Sequence, residues 1–223
     1  MKVLRKINAT VVCLIMVISG LAILHLSNYS KGDTIVSGNI ITDTTWTLAN
    51  SPYVVNAFVT INSGVTLTIE PGVEVRFGTG TEMIISGSGT LIAEGTPDGT
   101  ITFTSNQDIH TKGYWKYIHF AGDCAKTSIF KYCQIEYGGN QTDGILGNIY
   151  CETVSFFNST PFVLSTCTIS YGSSSGILYS NTDLTAKIYG CTIKDNEGNP
   201  LIVGPMLDMQ GNNFSGNGSE KIK

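Results

Sequence analysis

Arg76 stands two positions after Glu74 and is the only arginine beyond residue 5. An arginine beside a carboxylate could meet an acidic ligand, and carboxylates gathered near it could hold calcium. Calcium needs several oxygen ligands at close quarters. The chain has no Asp-Asp or Asp-x-Asp pair, and its nearest approach is Asp195-Asn-Glu197, in a turn-forming stretch. Acid–base hydrolysis would need two carboxylates a few ångströms apart on facing elements. Soft-metal chemistry is also poorly served. There is no Cys-x-x-Cys, and neither His110 nor His119 has a cysteine near it in sequence. The residues therefore call for no cofactor, catalytic metal or catalytic residue, and calcium held structurally in turns stays an open alternative.

A binding surface is better represented. In Tyr114-Trp-Lys-Tyr-Ile-His-Phe120, strand alternation sends Ile118 and Phe120 inward and Trp115, Tyr117 and His119 outward. Three flat rings on one outer face could stack on sugar rings, which marks these residues as glycan-contact candidates. The competing expectation is that Trp115 folds back under the loop from Asn106 to Gly113.

The elements that must carry these residues are legible from a repeated phrase. It reads Phe130-Lys-Tyr-Cys133-Gln-Ile135, Leu164-Ser-Thr-Cys167-Thr-Ile169, Ile188-Tyr-Gly-Cys191-Thr-Ile193 and Met209-Gln-Gly-Asn212-Asn-Phe214, at spacings of 34, 24 and 21 residues. Within each phrase Cys and Ile alternate with Gln or Thr, the period-two signature of a strand. A third apolar column follows: Ile149 with Cys151, Ile177 with Tyr179, Leu201 with Val203. Gly, Asn, Ser and Asp fill the connections, as turns require. Short strands repeated at this interval cannot bury their apolar faces singly, so they stack. Stacking predicts inner ladders Phe130–Leu164–Ile188–Met209, Cys133–Cys167–Cys191–Asn212 and Ile135–Ile169–Ile193–Phe214. It also predicts outer columns Gln134–Thr168–Thr192–Asn213 and Glu136–Ser170–Lys194–Ser215, a polar wall without an acid pair. The first half alternates too, at Val65–Ile69, Val73–Phe77, Met83–Ile85, Leu91–Ala93 and Ile101–Phe103, and Leu67 and Leu91 occupy similar settings 24 apart.

Gly64-Val-Thr-Leu-Thr-Ile-Glu-Pro-Gly-Val-Glu-Val-Arg-Phe-Gly78, Gly89-Thr-Leu-Ile-Ala-Glu-Gly-Thr-Pro-Asp98 and the Cys-x-Ile phrases together resemble the right-handed parallel β-helix repeat proteins of archaeal and bacterial surfaces, whose fold is shared with pectate lyases. The resemblance spans residues 34–218. It implies an all-β, single-stranded right-handed parallel β-helix, with Trp115 at the start of a turn of the coil. A repeat of this size gives roughly seven or eight turns. The same fold hosts lyases, hydrolases, adhesins and binding modules. The hydrolases carry Gly-His-Gly and Arg-x-Lys motifs, and this chain has neither.

Charged residues make up only 13% of the chain and hydrophobic ones 42%, enough ordered apolar material for a core. Residues 1–30 differ from the rest. Lys2, Arg5 and Lys6 precede an uncharged apolar run, the pattern of an export signal or an uncleaved membrane anchor. Residues 31–223 then form the β-helix domain, secreted or at the cell surface. Beyond the leader, 10 basic residues face 17 acidic ones, a net charge of about −7 that disfavours nucleic acid. Six Asn-x-Ser/Thr sequons occur, at Asn8 and Asn28 near the leader and at Asn140, Asn158, Asn213 and Asn217 as potential glycan acceptors. Five cysteines follow the leader (Cys124, Cys133, Cys151, Cys167, Cys191), and their odd number leaves at least one unpaired within the chain. They read as small buried hydrophobes, with disulfides along the ladder as the alternative. Thr66 with Thr68, and Thr100 with Thr102 and Thr104, are too few for a flat ice-binding face and fit ordinary β-propensity.

These features predict an exported, non-catalytic module for surface adhesion or glycan contact, with a polysaccharide or cell-surface glycan as partner. A polysaccharide lyase or glycoside hydrolase is the first alternative, a purely structural envelope component the second. Membrane contact is expected only through the N-terminal segment. The last phrase is followed by few residues, so an uncapped C-terminal rung is expected to self-associate or to mark a shortened gene product.

Overall fold

Alternation of one apolar residue with one polar residue produces strands of three to five residues at nearly every place where the sequence shows it. The structure is a computed structural model and describes residues 32–121, 128–140, 147–151, 163–179, 186–203 and 207–219. Within the unit that starts at Asp33, every named strand pairs with its neighbours in parallel. The chain visits three faces in turn and returns one rung further along.

The first face stacks residues 53–55 of the strand Tyr53–Ile61, then Glu74–Phe77, Ile101–Ser105, Cys133–Glu136, Thr168–Ser170, Thr192–Lys194 and Asn213–Ser215. The second stacks residues 59–61 of that same long strand with Met83–Ser86, Ile118–Ala121, Ile149–Cys151, Ile177–Tyr179 and Leu201–Val203. The third is a seven-stranded sheet: Thr44–Trp46, Thr66–Ile69, Thr90–Glu94, Ile129–Lys131, Val163–Ser165, Ala186–Tyr189 and Leu207–Gln210. The strand Thr34–Ile40 covers the first edge by pairing along Tyr53–Ile61. This is a parallel β-helix, as the repeat requires. A lone 3-10 turn at Leu48–Asn50 is the only helical element among the described residues.

The expected ladders are realised in register. Phe130 pairs with Leu164, Leu164 with Ile188, and Ile188 with Met209. Ile135, Ile169, Ile193 and Phe214 align in the same way, as do Ile149, Ile177 and Leu201. Leu67 lies opposite Leu91. Upstream, the Phe130 column continues through Ala93 and Ile69 to Trp46. The small Ala93 matters because the Phe130 ring meets Phe103 and Phe120 edge-on at centroid distances of 5.8 and 5.9 Å. A larger side chain at 93 would overfill that layer.

Corners are made by single residues in the left-handed region. One column of such residues is Tyr132, Thr166, Gly190 and Gly211, with φ from 48° to 66°. The other is Tyr137, Tyr171, Asp195 and Gly216, with φ from 56° to 65°. Each non-glycine member costs about 1–2 kcal/mol. The stacking of strands on either side offsets that cost and fixes the sharp bend. Beside the second column runs a file of asparagines. Asn148 Nδ2 donates to Asn196 Oδ1 at 3.1 Å, and Asn196 Nδ2 donates to Asn217 Oδ1 at 3.0 Å.

Cys133, Cys151, Cys167 and Cys191 are buried free thiols, and Cys124 lies outside the described residues. Cys133 donates to the carbonyl of Ala93 at 3.2 Å, and Cys167 to that of Ser165 at 3.2 Å. At the corresponding place Asn212 Nδ2 donates to the Ile188 carbonyl at 2.7 Å while its Oδ1 accepts from Cys191 N at 2.8 Å. Over these four rungs the position holds three cysteines and then an asparagine, each a small donor beside the corner carbonyls, whereas one rung upstream the apolar Ile101 pairs with Cys133. Burial pushes the Cys167 thiol well above its ordinary range, and hydrogen bonding to Cys167 does the same for Cys191. Neither is a thiolate at neutral pH, so neither is an effective nucleophile. We expect Cys133, Cys151, Cys167 and Cys191 to resist a disulfide reagent in the native protein and to react on unfolding. Peptide mapping after labelling with and without denaturant measures this, and native-state labelling of Cys167 would contradict the placement.

Candidate functional site

The aromatic candidates do not form an exposed strip. Trp115 is fully buried, its ring stacked on Phe77 at 4.2 Å and its Nε1 donating to the Glu136 carbonyl at 2.9 Å. Tyr117 is buried as well. Both precede the strand Ile118–Ala121, so the two-residue alternation that governs the strand does not extend to them. Of the three, His119 keeps the outward position. It aligns with Ile84 on one side and Tyr150 on the other, and stacks on Tyr150 at 4.7 Å.

The first face carries a richer outer surface. Its outward columns follow the expected register: Glu74, Thr102, Gln134, Thr168, Thr192 and Asn213 in one, Arg76, Thr104, Glu136, Ser170, Lys194 and Ser215 in the next. Glu74 Oε2 accepts from Arg76 Nη2 at 2.8 Å, and this bond raises the guanidinium pKa further above its ordinary value. Glu136 and Ser170 are buried, as is Thr104, which corrects the expected place of Glu136 and Ser170 on a solvated wall. Its carboxylate accepts from Thr104 Oγ1 at 3.0 Å and from Gln134 Nε2 at 2.6 Å. These bonds satisfy both oxygens of the group. Glu136 lies two rungs from Arg76, about 9–10 Å along the stack. The two carboxylates thus have separate partners and do not share a proton.

The loop between the strands Ile101–Ser105 and Ile118–Ala121 runs along the corner of this face. Ser105 Oγ and His110 Nδ1 are 2.6 Å apart, and Gln107 Oε1 accepts from Thr111 N and Oγ1 at 3.1 and 2.9 Å. Lys112 Nζ donates to the Asp195 carbonyl at 2.8 Å, and Asn140 Nδ2 to the Gly113 carbonyl at 2.9 Å. The loop brings the exposed His110 onto Tyr137, ring to ring at 4.7 Å and 15°. Tyr137 stacks in turn on Tyr171 at 5.2 Å and 11°, and Lys194 Nζ sits 5.9 Å from the Tyr171 ring centre. Both tyrosines are half-buried corner residues in left-handed conformation, which aims them along one file. Burial and the nearby Glu136 raise the Tyr137 phenol above its ordinary pKa, so it stays a neutral donor.

Beside this file lies a hollow of about 180 Å³ lined by Glu74, Arg76, Ser105, Asn106, Gln107, Asp108 and His110. No group of three or more His, Cys, Asp or Glu side chains among the described residues is arranged to hold a metal.

A family model for the pectate-lyase-like beta helix domain matches residues 38–154. The chain belongs to this family. Neither a curated relative nor a solved structure matches it. In this pectate-lyase-like β-helix the same stacking continues past the matched segment to the strand Asn213–Ser215.

Tyr137 and Tyr171 escaped the sequence reading although a signal was present. Ile135-Glu-Tyr137-Gly and Ile169-Ser-Tyr171-Gly repeat at the ladder spacing of 34. His110 gave no such signal, because its position depends on a loop crossing rungs. Among the sequons, the Asn140 and Asn217 amides are already engaged, with Asn217 Nδ2 donating to the Ile193 carbonyl at 2.9 Å. Asn213 is exposed, and Asn158 lies outside the described residues. Residues 1–30, Asn8 and Asn28 included, lie outside them too. No helix among the described residues is long and apolar enough to cross a membrane.

Proposed function

We propose that this β-helix is an exported, non-catalytic module that contacts glycans with the outer surface of its first face. The observation that supports this is the open file His110–Tyr137–Tyr171, capped by Lys194 and flanked by polar columns. The rings stack on one another, with His110 exposed and both tyrosines half-buried, so the file leaves part of its rings accessible and carries two phenols. Such a surface combines apolar contact with hydrogen bonding, which suits a ligand with apolar C–H faces and hydroxyl rims. The basic start and apolar run of residues 1–30 support export, with cleavage or retention of that segment deciding between secreted and anchored forms. The lyase alternative would need a calcium-holding acidic cluster beside a free basic residue, and the hydrolase alternative two carboxylates a few ångströms apart. Against that requirement, Arg76 is held by Glu74, and Glu136 by Thr104 and Gln134.

A glycan array probed with the full chain, with and without calcium, tests the reading beside a cleavage assay on polygalacturonate and neutral polymers. Binding without cleavage is expected. Tyr171→Ala should weaken it about tenfold, equivalent to about 1.4 kcal/mol, with the thermal midpoint recorded to show that the variant folds. Calcium-dependent release of unsaturated products would replace this reading with the lyase one. Absence of any glycan binding would leave the envelope-component reading.

A further inference from the structure

We propose that the hollow beside the aromatic file is a subsite for one uncharged sugar ring, the end of a neutral glycan. This rests on the glycan-contact reading above and narrows it to a ligand class. Four observations carry it.

The first is size. The hollow measures about 180 Å³ and is partly open to solvent, below the ~300–1,000 Å³ of pockets that enclose a drug-sized ligand. That scale suits one ring at the end of a chain whose remainder stays outside. The second is chemistry. The lining is two carboxylates, two carboxamides, a hydroxyl, a guanidinium and an imidazole. Planar groups of this kind can each meet two neighbouring hydroxyls of a sugar. The imidazole adds a flat apolar surface, since among the described rings His110 stacks on Tyr137 alone.

The third observation is charge. Arg76 is paired with Glu74 at 2.8 Å and also feels the charges of Asp33 and Asp108, so the lining sets one guanidinium against two carboxylates. A uronate, sulfate or phosphate would meet a net negative pocket. The hollow therefore selects against acidic sugars, although its one arginine would suggest the opposite from sequence. The fourth is preorganisation. The Ser105–His110 contact, the Gln107–Thr111 pair and the Tyr137 stack hold the loop before any ligand arrives, so little ordering is left to oppose binding.

The test titrates the full chain with methyl glucoside, methyl galactoside and methyl mannoside, and with methyl glucuronide and methyl galacturonide, alone and as competitors against an array-positive polymer. At least one neutral glycoside is expected to bind at millimolar concentration and to compete, and the uronides at least tenfold more weakly. Asp108→Ala, on an exposed loop position, should weaken the neutral glycoside about tenfold. Glu74→Gln should free Arg76 and strengthen the uronide by a similar factor. Tyr171→Ala should weaken polymer binding while leaving the monosaccharide site intact. If polymer binds but no neutral glycoside competes, or a uronide competes better, the subsite is overturned and the glycan-contact reading stands. Glycoside binding unchanged by Asp108→Ala places the sugar elsewhere and also overturns the subsite. If neither polymer nor glycoside binds, both fall together.

Discussion

Replacing Trp115 with alanine is expected to destabilise the β-helix by about 3–5 kcal/mol, the range for a fully buried aromatic truncated to a methyl group. The indole is stacked on Phe77 at 4.2 Å and also satisfies the Glu136 carbonyl at 2.9 Å. Alanine removes the packing and strands a backbone acceptor together. For a chain of this size each kcal/mol moves the thermal midpoint by about 2–4 °C, so a fall of about 10 °C is expected by circular dichroism. Trp115→Phe retains most of the packing. It keeps a ring against Phe77 but loses the hydrogen bond and leaves a small cavity where the indole exceeds a phenyl ring, which should cost about 1–3 kcal/mol, less than alanine. Glycan binding by folded Trp115→Phe should equal that of the parent, because no part of the indole reaches solvent. Loss of binding in a variant with an unchanged midpoint would contradict this placement.

Asn196→Ala is expected to have an effect of the same order for a different reason. Asn196 is buried and uses both ends of its amide. Nδ2 donates to the Ile169 carbonyl at 3.2 Å and to Asn217 Oδ1 at 3.0 Å, while Oδ1 accepts from Gly172 N at 2.9 Å and Asn148 Nδ2 at 3.1 Å. Truncation leaves buried donors and an acceptor unpaired, at about 1–3 kcal/mol for each group that finds no substitute. A total of about 3–5 kcal/mol is expected in denaturant melts. Asn196→Asp is a sharper probe. It places a carboxyl against two oxygens that now receive N–H groups, so burial and those oxygens raise its folded pKa above the unfolded ~3.9. An acid with a raised folded pKa contributes its stability at low pH and loses it as pH rises past the unfolded value. The Asp variant should therefore lie closest to the parent near pH 4 and fall further behind towards pH 7. A pH-independent gap would count against the hydrogen-bond directions given for this file.

Both residues show how unevenly the sequence exposes its structure. The ladders of Phe130 and Ile135 were legible because each strand holds one short alternating motif, and a β-helix places equal phases of successive motifs in contact. Asn196 and Asn217 hold the same place on successive rungs, three residues past Ile193 and Phe214, but Asn148 reaches Asn196 from a different place, just before Ile149, and all three lie in connections, where Asn is common for local reasons. Trp115 was misplaced because the alternation was extended three residues before the strand began. There the chain is turning, and the direction of a side chain is set by the corner.

The sequence by itself determined the coil, its inner ladders, its outer columns and the family to which the chain belongs, since all of these follow from local periodicity repeated at a readable interval. Only the tertiary structure decided the candidate site. Glu74 and Arg76 are separated from Asp108 and His110 by more than 30 positions in sequence, and Tyr171 is a further 61 beyond His110. They meet because parallel stacking places rungs about 4.8 Å apart, and because one irregular loop, fastened by Ser105, Gln107, Lys112 and Asn140, lies across those rungs. The path of such a loop depends on contacts with distant rungs, and no local pattern encodes it.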